Sequence, residues 1–175
     1  MGARDRTRTV LTMHAAAFAF IQSVAADRPP GLVVELGGFN INGSVRSLFT
    51  EPYLSVDIRP GPGVDVVASA ALYVPPSPPA CVVCCEVLEH TQVAEKICRN
   101  AYRMLQPGGV FLVTAAGVGR APHSAIDGLR LLDGEYYGNV TFDQLTAWLD
   151  GFASVRIIVD PIACDVYAVA RKGAA

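Results

Sequence analysis

Leu32-Val-Val-Glu-Leu-Gly-Gly-Phe-Asn-Ile-Asn-Gly-Ser44, with Tyr53-Leu-Ser-Val-Asp57 after it, decides how this 175-residue chain is read. The run Leu32–Leu36 is short and almost continuously apolar, which suits a strand covered on both faces in a parallel sheet. Gly37 and Gly38 then allow a sharp turn and a close backbone approach to a ligand. The second strand ends on Asp57, whose carboxylate can accept hydrogen bonds from both hydroxyls of a ribose. In open α/β sheets the ligand lies beyond the carboxyl ends of the strands, where strand order reverses. Turn and carboxylate together therefore predict a crevice for a nucleoside cofactor. Gly43-Ser44 is expected to open a helix whose first N–H groups face the same crevice.

Working outward, the pattern alternates strand and helix. Residues 53–58, 64–67, 80–85 and 110–115 read as further strands. Pro75-Pro-Ser-Pro-Pro79 is a stiff connector that neither a helix nor a central strand accepts. Residues 91–105 carry Val93, Ile97, Ala101 and Leu105 at helical spacing, and Pro107-Gly-Gly109 ends that helix. Thr141 is placed to cap a helix bearing Phe142, Leu145 and Leu149. Residues 152–159 and 164–170 are close enough to pair as a hairpin. The fold class predicted is α/β: a Rossmann-like, mostly parallel sheet with helices on both faces and an antiparallel C-terminal strand. Residues 1–175 read as one domain. It comprises an N-terminal helix (1–28), a cofactor-binding core (31–115), an irregular lid-like stretch (116–140) and a C-terminal helix and hairpin (141–175).

Composition sets limits on function. A 51% hydrophobic and 17% charged chain is long enough to bury a core, and its net charge of −2 excludes a broad basic surface for nucleic acid. Arg4, Arg6 and Arg8 precede an apolar run from Val10 to Ile21, which resembles a secretory leader. The reading preferred is an amphipathic helix with Leu11, Phe18, Ile21 and Ala25 on one face. The run is too short for a membrane span. Cys81-Val-Val-Cys84 has metal-like spacing, but on a strand residues three apart point to opposite faces, so no metal site is expected there. Buried thiols fit a reducing cytoplasm.

Two nucleoside cofactors compete for the crevice. A dinucleotide fingerprint GxGxxG begun at Gly37 would need glycine at Phe39 and Asn42, and neither is present. Four pieces, Val33-Val-Glu-Leu-Gly37, Val56-Asp57-Ile58, Val87-Leu-Glu-His90 and Leu105-Gln-Pro-Gly-Gly109, stand in the order and spacing of a known family. On them the chain resembles class I S-adenosylmethionine-dependent methyltransferases of the small bacterial small-molecule type, over roughly residues 32–115. The resemblance implies S-adenosyl-L-methionine as cofactor. Glu35, Gly37 and Gly38 would line its amino-acid end, Asp57 would hold the ribose and Ile58 would press on the adenine. The family often sets an acid near the adenine amino group. Ser69 falls there in this chain, with Asp65 earlier on the strand, and Phe39, Asn40 and Asn42 replace expected small residues.

Methyl transfer from a sulfonium is an in-line displacement that alignment and water exclusion can accelerate without a triad. Where the acceptor must lose a proton, the candidate bases are His90, Glu86 and His123. Glu86 also stands near the expected sulfonium. His123, Asp127, Tyr136, Tyr137 and Asn139 lie on the irregular segment, and Phe18 and Phe20 could close the other side or pack in the core. The expected partner is a small-molecule methyl acceptor, with no membrane. The acceptor's identity, the atom methylated and the oligomeric state are not set by the sequence. A nicotinamide-dependent oxidoreductase on a Rossmann sheet, or a non-catalytic binding module that keeps the fold, are the alternatives.

Overall fold

Apolar, β-branched runs alternate with helices, and in the computed structural model they assemble into a seven-stranded sheet. Residues 15–175 are described; Arg4, Arg6, Arg8, Val10 and Leu11 lie outside the described residues. The strands are β1 (Val33–Leu36), β2 (Tyr53–Asp57), β3 (Val66–Val67), β4 (Cys81–Cys85), β5 (Val110–Ala116), β6 (Ser154–Asp160) and β7 (Asp165–Arg171). Their order is β3-β2-β1-β4-β5-β7-β6, and β7 runs antiparallel to both its neighbours. β1 pairs in parallel with β2 on one side and β4 on the other, Leu36 standing opposite Val56 and Cys84. Strand order therefore reverses at β1, and the carboxyl ends of β1, β2 and β4 open together.

Helices cover both faces. α1 (Ala15–Val24) lays Ala17, Phe20, Ile21 and Val24 on the face that carries Val33, Cys81, Val83, Cys85 and Leu112. α2 (Ala94–Met104) and α3 (Phe142–Trp148) bury Ile97, Cys98, Ala101, Met104 and Leu145 on the other, against Val34, Leu36, Val82, Cys84 and Val113. Cys81 and Cys84 thus occupy opposite faces, and all five cysteines are unpaired. Phe20 belongs to the core, stacked on Tyr167 at 4.8 Å, while Phe18 is only half-buried. No helix among the described residues is long and apolar enough to cross a membrane.

Two expectations are corrected. The helix expected from Ser44 is a single 3-10 turn, Arg46–Leu48, because only nine residues lie between Gly43 and the start of β2. They leave no room for a longer helix and its return. The strand expected at 64–67 shrinks to two residues: Val64 is tied into the Gly61–Gly63 turn by its N–H to the Gly61 carbonyl. At the other end of the chain, Thr141 caps α3 with a reciprocal box, its side chain accepting from the Gln144 N–H while Gln144 accepts from the Thr141 N–H.

Candidate active-site crevice

The turn after β1 is shaped by what lies behind it. Gly37 has φ +87°, and a Cβ there would collide with Val87. A Cβ on Gly38 would collide with Ser55 and come within 2.7 Å of Glu35 Oε2. The backbone therefore bends tightly over the end of β2, where Asp57 meets it. One Asp57 oxygen accepts from the Phe39 N–H at 3.3 Å and the other from the Arg59 N–H at 2.9 Å. Each carboxylate oxygen keeps a further lone pair for a ligand.

A cavity of about 650 Å³ opens here, lined among others by Gly37, Gly38, Asp57, Ile58, Ser69 and Glu86. Its size falls within the range of small-ligand sites, roughly 300–1,000 Å³. Ile58 is 71% exposed on its rim. Glu35 reaches the cavity from beneath the turn and is almost wholly buried; burial raises its carboxyl above the ordinary value. Ser69 lines the cavity whereas Asp65 does not: Asp65 accepts from the Ser55 N–H and pairs with Arg46 at 2.9 Å. The bulky Phe39 is stowed against Gly61 and beneath the Arg59 guanidinium, 4.9 Å from its ring centre. The replacement of a small residue by Phe39 therefore leaves the cavity open.

The opposite wall is built from more distant pieces. Glu86 follows β4 with φ +54°, a backbone conformation that non-glycine residues rarely adopt and that concentrates at functional sites. Burial, reinforced by the Asp165 charge, pushes its carboxyl up to about 7. Arg120, from the irregular segment, reaches between Asp165 at 3.3 Å and Glu86 at 3.8 Å. Glu86 Oε1 is buried without a hydrogen bond of ordinary geometry among the described residues, and the nearby Thr114 hydroxyl favours its charged form.

His90 and His123 meet edge to face at 4.9 Å, and the Tyr137 ring stands 5.4 Å from one and 5.0 Å from the other. Burial, with the nearby His123, lowers His90 to about 4, so it is neutral near pH 7. The remaining candidates on this segment serve the chain itself. Asp127 accepts from the Leu129 N–H, Asn139 donates to the Arg120 carbonyl, and Tyr136 is 42% exposed. Sequence reasoning missed Arg120, Thr114 and Asp165, and no local motif marks them.

A parallel sheet that reverses at β1, ends in an antiparallel hairpin and opens this crevice has the fold of class I S-adenosylmethionine-dependent methyltransferases. The comparisons agree. Residues 61–113 match the family model of a methyltransferase domain. A solved structure of 1,6-didemethyltoxoflavin-N1-methyltransferase from Burkholderia thailandensis aligns with a TM-score of 0.64 at 16% identity, covering 91% of this chain and 78% of that one. The N-methyltransferase NodS from Bradyrhizobium japonicum WM9 aligns at 0.54 and 12% identity, covering 91% and 85%. The CurJ carbon methyltransferase aligns at 0.59 and 15% identity, covering 93% of this chain but 54% of that one, so the chain spans about half of that protein's length. No curated protein sequence matches the chain. None of these findings supports the nicotinamide-dependent alternative.

Proposed function

We propose that the chain binds S-adenosyl-L-methionine in this crevice and passes its methyl group to a small-molecule acceptor. The observation that carries the reading is the Asp57 carboxylate drawn onto the Phe39 N–H, which sets the acid closing β2 against the glycine turn leaving β1. The residues present suit the cofactor. The turn lacks the side chains that would fill it, and Glu86 brings a buried carboxyl to the cavity lining beside it. Asp57 holds the ribose hydroxyls, Ile58 covers the adenine, and Ser69 hydrogen-bonds at the adenine side. Glu35, Gly37 and Gly38 form the amino-acid end. When bound, the cofactor supplies an electrophilic methyl on a sulfonium.

The chain's own residues orient, shield and move protons. The stretch between β5 and α3 brings Arg120, His123, Ser124 and Ala125 to the cavity and closes it over the acceptor. Proton transfer is most effective when the base titrates near the working pH. Glu86 near 7 meets that condition, while His90 near 4 is a weak acceptor. Glu86 is therefore the base we assign, with His90 and His123 placing the acceptor. A net charge of −2 argues against a nucleic-acid acceptor, and unpaired thiols suit a reducing cytoplasm.

Titration calorimetry with S-adenosylhomocysteine tests the assignment. The wild type is expected to bind, and Asp57→Ala to bind roughly hundredfold more weakly, for two charge-assisted hydrogen bonds of about 1.5 kcal/mol each. No heat from the wild type at millimolar ligand would reject the cofactor, and thermal stabilisation by NADH instead would favour the dehydrogenase.

A further inference from the structure

We propose that Glu89, His90 and His123 form a site for a divalent first-row transition ion, open to the crevice through the two histidines. One ligand atom from each of the three lies within 4.8 Å of the others. Sequence offered no sign of this, because His123 lies 33 positions beyond His90. The folded chain joins them where His90 and His123 line the cavity and Glu89 stands behind them.

Glu89 is the independent witness. It is 0% exposed, and neither carboxylate oxygen makes a hydrogen bond within ordinary geometry to any described residue. Looser hydrogen bonds from the backbone amides of Glu89 itself and Ala116 give it partial support, short of what a buried carboxylate needs. Buried carboxylates are normally paired or coordinate a metal. One Glu89 oxygen points to His90 Nε2 at 4.0 Å, too far for a hydrogen bond. An ion held at about 2.0–2.2 Å from each donor bridges such a gap, drawing the donor atoms to about 3.3 Å apart. Side-chain rotations supply that contraction.

One of the two histidines is prepared for the same task. His123 Nδ1 stands 3.1 Å from the Ala121 carbonyl. A carbonyl only accepts, so Nδ1 carries the proton and Nε2 keeps its lone pair for a ligand bond. His90 makes no such bond through Nδ1, which is buried and without a partner among the described residues. Tyr137 packs edgewise against both rings and fixes their planes. Two imidazoles and one carboxylate are a donor set that binds Zn²⁺ with a further position open. That position faces the crevice, where a metal-bound hydroxyl would lose its proton more readily. The acceptor's part in this rests on the methyl-transfer reading; the ion site does not.

The test uses the full chain stripped with EDTA and then titrated with Co²⁺, followed by visible absorption, and with Zn²⁺, followed by calorimetry. One ion per chain and a ligand-field band are expected. His123→Ala should bind roughly tenfold or more weakly and lose the band, whereas Cys164→Ser should behave as wild type. Should Glu89→Gln fail to fold, His123→Ala still decides the matter, because His123 lies outside every helix and strand. Uptake unchanged in His123→Ala, a thiolate charge-transfer band, or no uptake by the wild type would each overturn the site. S-adenosylhomocysteine titration of the same samples separates this outcome from failure of the cofactor reading, since His123→Ala should retain that affinity.

Discussion

The two walls of the crevice differ in how they are made. One is the ends of adjacent parallel strands: Gly37, Gly38 and Asp57 are fixed by the ladder that sets Leu36 opposite Val56. The other gathers Glu86, His90, Arg120 and His123 from a strand end, the 3-10 turn Leu88–His90 and a long irregular segment. Ladder hydrogen bonds hold the first wall rigidly, so a cofactor common to many proteins suits it. The second wall can change residue by residue without disturbing the sheet, as suits an acceptor peculiar to this chain.

The largest effect is expected where the rigid wall has no slack. Gly37→Val places a branched side chain against Val87 at a φ of +87°. Overpacking of about 1–3 kcal/mol and backbone strain of about 1–3 kcal/mol should both appear as lost stability in urea melts. S-adenosylhomocysteine binding should vanish with it. A variant that kept both stability and affinity would show that the turn is not shaped as described, and the contrast between the walls would fail.

Glu86 stands where the walls meet, and its signature is in pH. Its carboxyl rises from an ordinary 4.5 to about 7 in the fold. Between those values the unfolded chain releases the proton first, so the native state loses stability as pH rises. Glu89 is raised as well and acts in the same sense. His90, lowered from 6.5 to about 4, opposes them: its contribution is present above 6.5 and is lost as pH falls. The opposing slopes partly cancel in the wild type. In metal-free buffer, Glu86→Gln should gain roughly 1–3 kcal/mol over the wild type between about pH 4.5 and pH 8. A stability difference that does not change with pH would remove Glu86 as the boundary group.

The same contrast explains what could be read from sequence. Strand β1, its turn, strand β2 up to Asp57 and strand β4 were legible because a few neighbouring residues specify their structure. The expected helix at Ser44 failed because loop length, not local propensity, limits the segment between Gly43 and β2. Phe39 stood out as a departure from the expected small residues, and nothing local shows that Gly61, twenty-two residues on, leaves room for its ring. His90 was legible as a single polar residue after β4. Its meeting with His123 and Tyr137 depends on the path of a segment without periodicity, as does the reach of Arg120 to Glu86 and Asp165.

The smallest effect separates the walls most cleanly. The irregular segment is held at its far end by the Gly138 N–H to the Glu89 carbonyl, the Val140 N–H to the Ala116 carbonyl, and the Thr141 cap of α3. Thr141→Ala removes only the cap and should cost about 1 kcal/mol. That corresponds to a fall of roughly 2–4 °C in melting temperature for a chain of this size. Leu145 and Leu149 remain buried and keep α3 docked. S-adenosylhomocysteine affinity should not change, because Gly37, Gly38 and Asp57 are anchored by the parallel ladders of β1 with β2 and β4, away from α3. Turnover should fall if closure over the acceptor depends on that anchor. A parallel loss of cofactor affinity and melting temperature would mean that the walls move together, and the division of labour between them would have to be abandoned.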